Sequence, residues 1–188
     1  LGKYDHIPLS LKLPNDRLTE QQVREKLRKE RNVEHLYIYK NGRQLARFEG
    51  YKAHTAVNVP AEWLVRMKDA TVYHNHLGST SFSFEDIELI VANDAKEFVV
   101  CSPKFDYIVR RPVGGWDFQL AVTNNMIVLD QDSAEIFEES QSLATQLFNT
   151  TVAQGHLRNS EWGDMRMHFI WSAFFGIKEI HYKQLSNQ

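Results

Sequence analysis

Val72-Tyr73-His74-Asn75-His76, followed by Gly78-Ser79-Thr80-Ser81-Phe82-Ser83-Phe84-Glu85-Asp86, reads as a strand, a loop and a helix start. On a strand, residues two apart share a face and lie about 6.6 Å apart along it. His74 and His76 can therefore converge on one ion. Asp86 is the best third ligand, because the Gly-Ser-rich connection turns the chain back and Ser83 starts a helix with Asp86 in its first turn. Two imidazoles and a carboxylate form a donor set suited to zinc, with a fourth position left for water. Ser83 and Asp86 also have the spacing of a capping box, which gives Asp86 a structural reading beside the ligand reading.

Outward from this stretch the pattern is that of an α+β protein. Upstream, 35–39 and 44–48 alternate as strands around Lys40-Asn41-Gly42-Arg43, whose Asn-Gly pair is a hairpin turn signal. A short strand at 56–59 and a helix over 61–68 are expected before the histidine strand. Downstream, residues 97–101 and 107–110 read as consecutive strands. Residues 1–17 read as an extended entrance, and Thr19-Glu20-Gln21-Gln22 as the capping-box start of a helix reaching about Glu30. The charge-rich residues 24–31 are expected to form its solvated face. Beyond Pro112, residues 120–122 and 126–129 fit either strands or helical packing, and 133–148 and 161–175 read as helices. The organisation is 1–33 as N-terminal entrance and helix, 34–112 as the α+β core, and 113–188 as a packed, mainly helical C-terminal extension.

Composition narrows the function classes. The 188 residues are 43% hydrophobic, enough for one sizeable core, and carry a formal net charge of −2 from 22 basic and 24 acidic residues. The charge gives no general bias toward polyanions, and nucleic acid is an improbable partner. A single cysteine, Cys101, excludes an internal disulfide framework and a thiolate-rich metal site, and its apolar neighbours mark it as a packed thiol. No run of 18 apolar residues and no signal peptide is visible, so no membrane partner and a cytoplasmic location are expected. The chain begins with Leu1 rather than Met, which reads as trimming or a fragment.

His74, His76, Ser83 and Asp86 together resemble the motif of the JAMM (JAB/MPN) metalloproteases, in which two histidines one residue apart precede a Ser-x-x-Asp element. His74-Asn75-His76 is similar to the corresponding turn of the family's bacterial and phage-associated branches. The resemblance covers residues 35–112. It implies a mixed sheet with flanking helices, a zinc ion (Zn2+) held by His74, His76 and Asp86, and hydrolysis of a peptide or isopeptide bond in a protein or peptide substrate. It also implies an upstream glutamate that accepts the proton of the attacking water. Glu49 is the best positional candidate, at the close of the hairpin, with Glu34 as the alternative. Ser83 would hydrogen-bond the developing oxyanion. The interval from His76 to Ser83 is one residue shorter than the common motif, and Leu77 stands where proline is frequent. These departures keep two other readings open: a noncatalytic interaction or assembly module with an assembly partner, and a metal-dependent nuclease.

Other groups carry weaker signals. His54 is read as a surface residue or a support to the cleft. His156, Glu161 and His168 lack the close spacing of a second metal site, and Trp116, Trp162 and Trp171 are explained more economically by packing than by a substrate groove.

Overall fold

Alternation decides the architecture, because two strands that are neighbours in the sheet have apolar or aromatic residues on both faces. In β2 (His35–Lys40), Leu36 and Ile38 enter one core while Tyr37 and Tyr39 enter another; in β4 (Thr71–Asn75), Val72 and Tyr73 divide in the same way. Strands of this kind are stable only with both faces covered. The computed structural model describes residues 8–51, 57–123 and 126–187, and in it these strands lie near the middle of a seven-stranded mixed sheet.

The remaining strands of that sheet are β1 (Leu11–Leu13), β3 (Arg43–Glu49), β5 (Glu97–Cys101), β6 (Phe105–Arg110) and β9 (His181–Ser186), in the order β1-β3-β2-β4-β5-β6-β9. All neighbours are antiparallel except β4 and β5. That parallel pair requires a crossover, which is α3 (Phe84–Ala92). Asn41 and Gly42 make the β2–β3 turn with φ of 52° and 71°, the left-handed pair expected of a two-residue hairpin.

One face of the sheet packs on α1 (Glu20–Lys29), whose Val23 and Leu27 are buried against Tyr37, Tyr39, Tyr73, Val99 and Ile108. The helix starts as its sequence indicates, with Thr19 and Gln22 forming a reciprocal capping box. Its charged residues are not simply a solvated face. Arg24 and Arg28 both reach the fully buried carboxylate of Asp106 on β6, and Glu20 accepts from the Tyr73 hydroxyl. The polar side of α1 thus also meets the sheet, because Asp106 needs compensation once buried.

The other face carries α3 and the C-terminal helices α4 (Gln131–Ala153) and α5 (Trp162–Ile177). Trp171, Phe174 and Phe175 are fully buried there and share one core with Val72, Phe98 and Val109. Residues after Pro112 therefore complete the core of the preceding segment, and β9 joins the sheet beside β6. Residues 120–123 and 126–129 form strands, β7 (Leu120–Thr123) and β8 (Met126–Leu129), paired antiparallel as a separate two-stranded sheet. The helix expected over 61–68 is shorter, α2 (Ala61–Leu64) followed by a 3-10 turn at Val65–Met67. Residues 57–59 are not a strand, while Ala56 and His54 lie outside the described residues. Among the described residues no helix is long and apolar enough to cross a membrane.

Replacing Asp106 with Asn should lower unfolding free energy by about 3 kcal/mol, the low end for a broken buried pair because Arg24 and Arg28 keep some solvent access. Urea titration measures this, and a loss below about 1 kcal/mol would remove the pair from the account of how α1 is held.

Candidate metal centre

The centre is assembled where β4 leaves the sheet. His74 stands opposite Leu36 of β2, on the face that also receives Val72. His76 lies one residue beyond the strand, but its N–H still donates to the Cys101 carbonyl at 3.1 Å. This bond carries the two-residue alternation past Asn75, so His74 and His76 face the same way with ring centroids 5.1 Å apart.

Asp86 arrives from the opposite direction, on the first turn of α3. Its Oδ2 accepts from the Ser83 N–H at 2.7 Å and the Ser83 hydroxyl at 2.9 Å, and its own N–H returns to Ser83 Oγ at 3.1 Å. The same oxygen lies 3.2 Å from His76 Nε2. Ligand atoms of His74, His76 and Asp86 all fall within 4.8 Å of one another. Asp86 thus both caps the helix and joins the cluster; the two readings of this residue are compatible.

Both histidines are held by Nδ1. His74 Nδ1 is 2.8 Å from the His35 carbonyl, which can only accept, so this nitrogen carries a proton. His76 Nδ1 is 3.1 Å from Thr80 Oγ1 and 3.3 Å from the Thr80 carbonyl. Nε2 of each ring faces the cluster, the orientation that a metal-ligating imidazole requires. Two such nitrogens and a carboxylate in a buried setting fit a divalent ion such as Zn2+.

Electrostatics agree with the geometry. Burial by itself pushes the Asp86 carboxyl up, but the imidazoles of His76 and His74 and the Ser83 N–H outweigh it and hold the group at about 2. Burial pushes His76 down, and Asp86, with Glu34 and Thr80, reverses that, raising it above its ordinary value.

Glu34 and Glu49 end on opposite sides of the sheet. Glu49 pairs across the hairpin with His35, and its carboxylate lies 3.9 Å from His35 Nδ1, on the side of Tyr37 and α1. Strand alternation puts Phe48, not Glu49, on the side of His74. Glu49, expected to face the centre, is thus directed to His35 and is not among the residues lining the cavity beside the histidines. Glu34 takes that place: its carboxylate is buried, 3.6 Å from His74 Nε2, and lines the same cavity as the cluster. Ser83 also lines this cavity, but its hydroxyl proton is directed to Asp86, so in this arrangement it supports the ligand instead of pointing at a substrate oxygen.

Asn75 is the residue whose role the spacing did not reveal. Fully buried between the two histidines, it accepts from the His35 N–H at 2.7 Å and donates to the Val33 carbonyl at 3.2 Å. These contacts bracket Glu34, whose carbonyl accepts from Gly50 at 2.8 Å. The signal for it was its position: a residue between two same-face histidines must point the other way.

The cavity at the centre measures about 630 Å3. Its walls include Leu36, Val57, Val59, Leu64 and Leu89, with carboxylates at Glu34, Glu85, Asp86 and Glu88. His168 belongs to a separate polar group around Tyr182, and Trp171 is buried core.

Because His76 is held in its charged form above the ordinary histidine range, a divalent ion must displace a proton from Nε2. Affinity should rise with pH through that elevated value and level off above it, and it should weaken as pH falls. Calorimetry of Zn2+ binding in buffers of different ionisation enthalpy should show proton release; binding without it would contradict the charged His76–Asp86 pair. Compared with family models, curated proteins and solved structures, the chain matches none.

Proposed function

We propose that the protein is a zinc-dependent hydrolase of the JAMM type, cleaving a peptide or isopeptide bond. The observation that carries this reading is the buried carboxylate of Glu34, 3.6 Å from His74 Nε2 and open to the same cavity as His76 and Asp86. A three-ligand centre beside a carboxylate that is not needed as a ligand is the arrangement of metal-assisted hydrolysis.

His74, His76 and Asp86 would hold the ion. When bound, the ion acidifies water and polarises a carbonyl, lowering the cost of attack at neutral pH. Glu34 accepts the proton of the attacking water and delivers it to the departing amine. Asn75 keeps Glu34 in place through the backbone on either side of it, and Ser83 keeps Asp86 oriented. The apolar walls bury the chain flanking the scissile bond.

Among the described lining residues there are four acidic residues and neither Lys nor Arg, a poor setting for a phosphodiester backbone. This favours peptide over nucleic acid. The noncatalytic assembly module is favoured by one detail, the commitment of the Ser83 proton to Asp86, which withdraws a side-chain donor from oxyanion stabilisation.

With Zn2+ supplied and a panel of linear and isopeptide-linked peptides as substrate, Glu34→Gln should reduce cleavage about 10²- to 10⁴-fold while leaving Zn2+ stoichiometry intact. Glu49→Gln should cleave as the parent does. The reverse pattern would return the base role to Glu49, and Zn2+ binding without cleavage across the panel would support the assembly module.

A further inference from the structure

The loop that joins the histidines to α3 is held from behind by residues far away in sequence. Tyr182 of β9 places its buried hydroxyl 2.9 Å from Ser81 Oγ and 2.9 Å from His168 Nδ1 of α5. Trp171 of α5 donates its indole N–H to the Phe82 carbonyl at 2.8 Å. Tyr107 of β6 donates to the Ser79 carbonyl at 3.1 Å and accepts from Gln184 of β9. Ser79, Ser81 and Phe82 are thus each fastened by a different side chain, and Ser81 and Phe82 are almost fully buried.

What this loop carries makes the fastening consequential. Thr80, between the held Ser79 and Ser81, receives His76 Nδ1; Ser83, next to Phe82, orients Asp86. Two of the three candidate ligands therefore take their direction from the five residues Ser79 to Ser83, set by Tyr107, Tyr182 and Trp171. His168 is kept neutral at pH 7, its imidazole pushed down to about 4 by burial, so it engages the Tyr182 hydroxyl without placing a charge in the core. Tyr182 also packs on Phe82 and Phe175, which limits its freedom to follow a displaced loop.

We infer that the C-terminal segment is a working part of the metal centre, with Tyr182 and Trp171 as positioning residues that set its metal affinity through Ser81 and Phe82. The inference rests on the metal reading of His74, His76 and Asp86. Partners one bond removed from a ligand typically change metal affinity 10–100-fold when lost. Tyr182 and Trp171 act one step further out, so about 10-fold is expected for either hydroxyl or indole contact.

The test uses the full chain and Co2+, whose visible absorption reports ligand geometry. Tyr182→Phe keeps the ring and removes the bridge; Ser81→Ala removes the other partner. Each should weaken Co2+ binding about 10-fold and alter the spectrum, and the double variant should be no weaker than Tyr182→Phe alone, because the bond that Ser81→Ala removes is already lost with the Tyr182 hydroxyl. A purely structural Tyr182 would lower the melting temperature of the metal-free protein and leave affinity and spectrum unchanged. Parent-like Co2+ affinity and spectrum in both folded variants would overturn the inference alone. Absence of saturable Co2+ binding by the unaltered protein would overturn the metal reading and this inference together.

Discussion

The antiparallel register of β2 against β4 is the constraint on which the candidate centre depends. It sets Leu36 opposite His74 and Tyr37 opposite Tyr73, which sorts both strands between two covered faces. A slip of one residue would send the histidines into the tyrosine layer under α1 and bring Tyr73 to the cavity. The His74 Nδ1 bond to the His35 carbonyl and the two Asn75 bonds to residues 33 and 35 lock that register at the strand ends. The contacts that align the sheet are also those that orient a candidate ligand and the carboxylate beside it.

Burial sets the terms for the charges. Asp86 sits where an isolated carboxylate would be expensive, and its compensation comes from His76, His74 and the helix cap. On the opposite face Asp106 meets the same requirement with two arginines from α1. The two solutions differ in consequence. Arginine keeps its charge and closes a structural pair, whereas an imidazole can surrender its proton and offer a lone pair instead.

His74, His76 and Asp86 were legible in the sequence because their convergence follows from short-range rules: strand alternation for the pair, a capping box for the acid. Helix α1 and the Asn41-Gly42 hairpin were legible for the same reason. Glu34 and Glu49 were not separable in this way. Each lies at an end of the β2–β3 hairpin, and which one faces the histidines depends on parity: Glu49 pairs with His35, so both point to α1, while Glu34 precedes His35 and points to His74.

The hairpin, the helix starts and the local grouping of two histidines with an aspartate follow from the amino-acid order, because each is a matter of backbone period and capping over a few residues. Which glutamate stands beside them, and what lies behind the loop, depend on tertiary contacts. Sheet pairing selects the face of Glu34. Tyr182 meets Ser81 across 101 residues of chain because β9 adds beside β6, and long-range packing of this kind leaves no periodicity to read.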